Sequence, residues 1–238
     1  MAGVALVIGA EGGVGEAVVA RLAQDGFTVV AGSRSTVPSE RERVVRRPVD
    51  VTDDATIAAA VDLACARGPL RAVVCCQGVV LSTPLADGPG DDAGAALRTT
   101  LAVNLEGTAA VCRAVAERIG DGGAIVTFSS IGAHRSSSSE RSGYGASKAG
   151  VEALTRAYAA GLAPRAVRVN AVVPGPLDLP MAGTPRAAGA AAGAAARVPL
   201  GRLVTVREVA AAVAFLVSPR ASGITGIALP VDGGVLAR

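Results

Sequence analysis

The chain opens on an unbroken apolar run, residues 4–8, closed by Gly9. A short run of this kind fits a strand buried on both faces. Similar runs recur at 27–31, 44–49, 70–76, 124–128, 167–173 and 227–231. Between them, apolar residues fall every three or four positions, the spacing of a helix packed on one side. The pattern predicts helices at 16–24, 53–66, 91–103, 105–119, 144–162 and 206–217. Gly26 closes the first, Thr52 or Asp53 can cap the second, and the pair around 91–119 meets near Asn104. A parallel crossover ordinarily needs a dozen or more residues. Residues 33–43 barely supply them, so the crossover helix there is expected to be shortened or absent. Strict alternation of strand and helix predicts an α/β chain: a doubly wound parallel sheet of seven strands with helices on both faces, one domain over 1–238. The one low-complexity piece is the Ala/Gly tract at 183–196, inside a loose segment at 177–197 expected to act as a mobile flap.

Composition narrows the partners. Half of the 238 residues are hydrophobic, enough for one sizeable core. The net charge of +3 is spread among arginines and the aromatic content is 2%. Neither supports a nucleic-acid partner. No basic segment precedes an apolar one at the N-terminus, and no apolar run approaches about 18 residues. The expectation is a soluble, cytoplasmic protein with no membrane partner. Four cysteines (Cys65, Cys75, Cys76, Cys112) lack metal-ligand spacing, and His134 is the only histidine. They read as small buried hydrophobes, and no metal is expected.

The candidate chemistry lies at the ends of the predicted strands. The first strand runs into Gly9-Ala10-Glu11-Gly12-Gly13-Val14-Gly15 and then a helix. Strand, glycine turn and helix start form a phosphate-binding arrangement, with free N–H groups and the positive end of the helix dipole aimed at the anion. After the second strand, Gly32-Ser33-Arg34-Ser35 falls where a dinucleotide presents its adenosine ribose, and no Asp or Glu lies between Gly26 and Ser39. An arginine there accommodates a 2′-phosphate, which points to NADP(H), with NAD(H) the lesser expectation. Arg41 and Arg43, close along the chain, are expected to share that phosphate.

Tyr144 and Lys148 stand one helical turn apart, and Lys148 is the only lysine in the chain. That spacing puts both side chains on one face. A phenol beside a fixed cation is expected to have its pKa lowered from about 10 toward neutrality, as a tyrosine acid/base requires. Ser129, Ser130 and Asn104 fall at other strand or helix ends around the same crevice.

Taken in order, these motifs resemble the short-chain dehydrogenase/reductase superfamily from end to end, and most of all the 3-oxoacyl-carrier-protein-reductase-like ketoreductases. They are Gly9-x-x-x-Gly13-x-Gly15, Asp50-Val51, Val103-Asn104-Leu105, Ser130 with Tyr144-x-x-x-Lys148, Arg168-Val169-Asn170-Ala171 leading to Pro174-Gly175, Pro199-Leu200-Gly201-Arg202, and Val231-Asp232-Gly233-Gly234. The chain departs from the family at Ile8 and Leu179, where threonine is usual, and at Cys75-Cys76-Gln77-Gly78, where Asn-Asn-Ala-Gly is usual.

The resemblance implies a Rossmann fold and a homotetramer or homodimer. The cofactor would touch Gly9, Glu11, Gly13, Val14, Gly15, Ser33, Arg34, Asp50, Val51, Gly78, Asn104, Tyr144, Lys148, Pro174, Gly175 and Leu177. In the family's mechanism Ser130 hydrogen-bonds the substrate carbonyl and Tyr144 delivers the proton. Lys148 lowers the Tyr144 pKa and binds the nicotinamide ribose, while Asn104 holds a water that links Lys148 to solvent. The implied activity is NADPH-dependent reduction of a ketone or aldehyde, of the 3-oxoacyl, polyketide or small-ketone type, with a carrier-protein-bound substrate among the candidates. The alternatives are an NAD(P)-dependent alcohol or cis-diol dehydrogenase, and a nucleotide-binding sensor with little catalysis. Specificity is expected from the flap at 177–197, the loop 131–143 and the segment after Gly78.

Overall fold

The computed structural model describes residues 3–84, 92–135, 140–179 and 190–237. Its first strand, β1 (Val4–Ile8), is buried at every position. Val4, Leu6 and Ile8 face one layer of core and Ala5 and Val7 the other, the two-residue alternation of a strand covered on both sides. The elements that follow are α1 (Gly13–Gln24), β2 (Thr28–Ser33), β3 (Ser39–Arg41), β4 (Val44–Pro48), α2 (Asp54–Ala66) and β5 (Leu70–Cys75). Then come α3 (Ala93–Leu101), α4 (Gly107–Ala116), β6 (Ala124–Phe128), α5 (Ser142–Leu162), β7 (Arg168–Pro174), α6 (Ala190–Ala195), α7 (Val206–Val217) and β8 (Ala228–Val231). The sheet order is β3-β4-β2-β1-β5-β6-β7-β8. Strand order reverses between β1 and β5, so a crevice opens at their carboxyl ends.

Helices α1 and α7 close one face through Val18, Leu22, Val209 and Val213. On the other face α2 contributes Ile57 and Val61, and α4 contributes Val111 and Val115. Asp53 caps α2 by accepting from Ala55 N, and Thr205 and Glu208 form a reciprocal capping box on α7.

The seven expected strands are present and mutually parallel, but the sheet has an eighth strand. No helix fills the short crossover. Instead β3 folds back antiparallel on β4, pairing Ser39 with Arg46 and Arg41 with Val44. This corrects the expectation for Arg41 and Arg43. Val44 lies beside Val29 at the start of β2, whereas Ser33 lies beside Pro48 at its end. At about 3.3 Å per residue the two positions are roughly 13 Å apart. Arg43 donates to Gly26 O at 3.1 Å, farther still from Ser33.

The two helices expected to meet near Asn104 are one continuous helical path. Between α3 and α4 it passes through a π-turn, Ala102–Glu106, centred on Asn104. Helix α5 begins at Ser142, two residues before Tyr144. The serine run at 136–139 and most of the expected flap, 180–189, lie outside the described residues.

Candidate active site

The phosphate end is built of backbone. Gly9 has φ +81°, a left-handed conformation that favours glycine, and a Cβ there would enter the backbone of Gln77. A Cβ on Gly15 would strike the Gly9 carbonyl. Helix α1 starts behind Gly12, which offers no side-chain cap, so its first amides have no side-chain acceptor. An anion is the natural partner for such a terminus. Val14 packs toward the core below the turn.

Side chains then tie this turn to the end of β2. Glu11 N donates to Ser33 Oγ at 3.0 Å, and Ser35 Oγ donates to Glu11 Oε2 at 2.6 Å. The Ser35 hydroxyl holds the Glu11 carboxyl below its ordinary range. Arg34 is exposed between them, and its charge reaches Asp50. The Asp50 carboxyl is itself held low, first by the Thr52 N–H and then by its hydroxyl, at 2.9 and 2.7 Å. Val51, nearly buried, packs where a Cβ on Gly107 would lie.

The catalytic end is built on α5. Gly143 N donates to Thr83 Oγ1 at 2.9 Å and Ser142 Oγ donates to Thr83 O at 3.0 Å, which anchors the start of the helix. Tyr144 follows at once. Lys148 is 4% exposed and donates its Nζ to Phe128 O at 2.8 Å, with that nitrogen 5.8 Å from the centre of the Tyr144 ring. Burial lowers the Lys148 ammonium to about 8. Burial also raises the Tyr144 phenol above its usual value, against the opposing pull of a hydrogen bond with Ser130 and the charge of Arg141. The expected lowering of Tyr144 by Lys148 is therefore not met. In a desolvated site both charged forms are penalised, and the ammonium is aimed at a backbone carbonyl instead of the phenol.

Ser130, not Ser129, faces Tyr144. Ser130 Oγ also accepts Gly132 N at 3.1 Å. Ser129 turns inward and donates to Glu152 Oε1 at 2.6 Å, which also bonds His134 Nε2 at 2.8 Å.

Asn104 is fully buried. Its Oδ1 accepts Val79 N at 2.8 Å, and its Nδ2 donates to Val79 O at 2.9 Å and to Ser147 Oγ at 3.1 Å. The side chain thus clamps the backbone just after Gly78. A Cβ on Gly78 would lie 3.3 Å from Lys148 Nζ, a tight contact, so chain and ammonium approach closely here. Asn170, the other asparagine, is structural: it holds Ile224 O and Ile227 N beside β8.

A family model described as enoyl-(acyl carrier protein) reductase matches residues 9–236. The chain belongs to the short-chain dehydrogenase/reductase family. It is 41% identical over 248 residues to cis-4-hydroxycyclohexanecarboxylate dehydrogenase of Sinomonas cyclohexanicum, covering 98% of this chain and 96% of that protein. It is 33% identical over 246 residues to a 3-oxoacyl-(acyl-carrier-protein) reductase of Thermotoga maritima, covering 98% and 97%. Among solved structures, a blue fluorescent protein from a metagenomic library in complex with NADPH superposes with TM-score 0.87 at 30% identity, covering 98% and 97%. As a short-chain dehydrogenase/reductase the chain is an oxidoreductase acting on CH–OH or carbonyl groups.

The residues present fit the family's dinucleotide: a glycine cradle, an uncapped helix start, and polar groups at the end of β2. At the end of β7, Gly175 N donates to Val231 O at 3.0 Å, and a Cβ on Gly175 would lie 2.6 Å from Asp232 Cα. Pro174 ends β7 just before it, and Leu177 bridges to Val204. Leu179, which stands where threonine is usual, packs over Gly13.

The unusual segment after β5 finds its own partners. Gln77 Nε2 donates to Thr108 Oγ1 at 3.0 Å, and Thr108 Oγ1 donates to the Asn104 carbonyl at 2.7 Å. Gln77 Oε1 is buried with no partner among the described residues. Gln77, Thr108, Thr83 and Glu152 were not identified as site residues from sequence. Each acts through a partner 18 to 60 residues away, and no local pattern in the sequence signals that. Beside Ser130 and Tyr144 opens a cavity of about 600 Å³, walled by residues 130–135, 141–142, 144–146, Gly175, Pro176, Ala194 and Arg197.

Proposed function

We propose that this short-chain dehydrogenase/reductase reduces a ketone or aldehyde to an alcohol with NADPH. The observation that carries the reading is the placement of the Tyr144 phenol with Ser130 in one cavity wall and beside Lys148, and burial holds that phenol above its ordinary value. A phenol that keeps its proton is a resting acid, the form a reduction consumes. When bound, the dihydronicotinamide supplies the hydride. Ser130 donates to the substrate carbonyl oxygen and Tyr144 gives that oxygen its proton as the hydride reaches carbon. The buried Lys148 ammonium lies close enough to stabilise the phenolate left behind. Asn104 positions the chain at Gly78 and Val79, against which Lys148 is packed. The glycine turn and the α1 amides would hold the pyrophosphate, Asp50 and Val51 the adenine, and Pro174, Gly175 and Leu177 the nicotinamide.

Arg34, exposed at the end of β2, supports the choice of NADPH, since a guanidinium pairs bidentately with a 2′-phosphate. The NADPH complex of the related fluorescent protein supports the same choice. The relative named as a 3-oxoacyl reductase supports the reductive direction.

A second reading is oxidation of an alcohol with NAD. The Glu11 carboxylate, held at Ser35 beside Arg34, favours it, because a carboxylate there accepts from a ribose 2′-hydroxyl and repels a phosphate. The relative named as a dehydrogenase supports that direction.

The deciding experiment measures turnover of a ketone panel with NADPH and NADH, and of the matching alcohols with the oxidised cofactors, at low salt. NADPH favoured by roughly 10- to 100-fold in kcat/KM, the worth of one or two charge-assisted hydrogen bonds, is the expected result. Equal use of both reduced cofactors removes Arg34 from the argument. Tight cofactor binding without turnover of any substrate would favour a nucleotide sensor, which the shared face of Ser130, Tyr144 and Lys148 argues against.

A further inference from the structure

The cavity beside Ser130 and Tyr144 has a one-sided charge. Among the described residues its wall carries Arg135, Arg141, Arg197 and His134, and no carboxylate. The chain as a whole is nearly balanced, 23 basic residues against 20 acidic. Three arginines among the described residues of one cavity wall are thus a local concentration, not a sample of a basic surface. The remaining wall is small or aliphatic, Ile131 and Pro176 its largest apolar members.

Arg141 is the best placed of the three. It is the last residue before α5, exposed, with its carbonyl accepting Gly145 N at 3.0 Å. Its charge is felt at the Tyr144 phenol. Among the described residues its guanidinium has no acidic partner. The nearby carboxylate of Glu152 is committed to Ser129 and His134. Arg135 spends one arm on Val235 O at 3.1 Å, which holds it in the wall.

Resting on the oxidoreductase reading above, we infer that the substrate is a small aliphatic oxo or hydroxy acid, its carboxylate received by Arg141 with Arg135 and Arg197 flanking. A guanidinium fork matches a carboxylate in geometry as well as charge. A cavity of about 600 Å³ takes a small carbon skeleton between that fork and the Tyr144 phenol. The carboxylate then fixes which carbon faces Tyr144 and Ser130, so Arg141 selects substrate and site of reaction together.

The test uses the intact protein and two readouts. Kinetics compare 4-oxocyclohexanecarboxylate with its methyl ester. The acid is expected to be preferred by roughly 10- to 100-fold in kcat/KM, the range for hydrogen bonds to charged groups. Arg141→Gln should erase most of that preference, mainly through KM, and Arg141→Lys should keep part of it. Calorimetry then follows cyclohexanecarboxylate, which has no carbonyl to reduce, in the presence of cofactor. Binding that weakens about tenfold in Arg141→Gln supports the inference even where no ketone turns over, an outcome that would fail the oxidoreductase reading alone. Equal kcat/KM for acid and ester overturns the inference and leaves that reading standing. So does an Arg141→Gln variant that binds cyclohexanecarboxylate as tightly as the wild type.

Discussion

The adenosine end and the catalytic end of the crevice use charge in opposite ways. At the adenosine end Glu11, Arg34 and Asp50 are solvated, and hydrogen bonds from Ser35 and Thr52 hold the two carboxyls low. At the catalytic end Lys148 is buried and Tyr144 half-buried, and burial drives both toward their neutral forms. Where water remains, a charge acts as a label: it discriminates between ligands and is screened by salt. Where water is excluded, a charge is costly, and the group becomes a proton carrier instead. The contrast predicts that substitutions at the buried end change rate, and those at the solvated end change preference.

The largest expected effect is Tyr144→Phe, which keeps the ring and removes the proton. Turnover should fall by at least about 10²-fold. Cofactor affinity should hold within a factor of about two to three, less than one kcal/mol. With no tryptophan in the chain, calorimetry is the suitable affinity measurement. Near wild-type kcat would remove Tyr144 from the mechanism and dissolve the contrast. Lys148→Arg should come next, with a loss of roughly tenfold or more in kcat, by analogy with other misplaced acid/base groups. It keeps the charge, but a guanidinium is bulkier, does not titrate, and would have to fit where Lys148 is buried. Unchanged kinetics would mean that the single lysine is an accident of composition.

At the solvated end Arg34→Asp should invert the proposed preference for NADPH over NADH, and Glu11→Gln should strengthen it. Each should shift the ratio by about tenfold, the worth of one charge-assisted hydrogen bond. A ratio that neither variant moves would separate cofactor choice from this pair.

The smallest effect is on stability, and it sharpens the contrast without touching activity. The Lys148 ammonium is lowered to about 8 in the folded chain, against about 10.4 unfolded. Between those values the unfolded chain binds more protons, so folding stability should rise with pH from about 8 to about 10. Below about 8 the cost of the buried cation is present in full. Urea unfolding of wild type and Lys148→Met across that window should show the gain in wild type alone. A constant difference between them would mean that the ammonium is better solvated than its 4% exposure suggests.

How much of this was legible in the sequence depends on where the information sits. Strands β1 and β6 match their apolar runs residue for residue, because a strand buried on both faces must be apolar throughout. Strand β3 was not legible. Ser39, Glu40 and Arg41 are all exposed at the sheet edge and leave no apolar trace. Type and spacing singled out Ser130, Tyr144 and Lys148, which the fold brings close together, but the direction of the Tyr144 shift was not legible, because burial is a property of the whole fold. Glu11 was readable as part of the glycine turn. That its carboxylate reaches Ser35, 24 positions on, was not. The sequence shows no acid between Gly26 and Ser39, yet the fold brings one to the end of β2.

The π-turn at Asn104 carries a consequence of its own. A helix advances about 100° per residue, so one extra residue rotates everything beyond it by about that angle. Helix α3 packs against α5, and α4, beyond the turn, packs against α2 as well as α5. The turn works as a phase shifter between the two contacts. Deleting one residue within 102–106 would leave a regular helix, preserve nearly every side chain, and still point Val111 and Val115 away from the core they now fill. In this stretch the count of residues is as binding as their identity, like a reading frame written in packing.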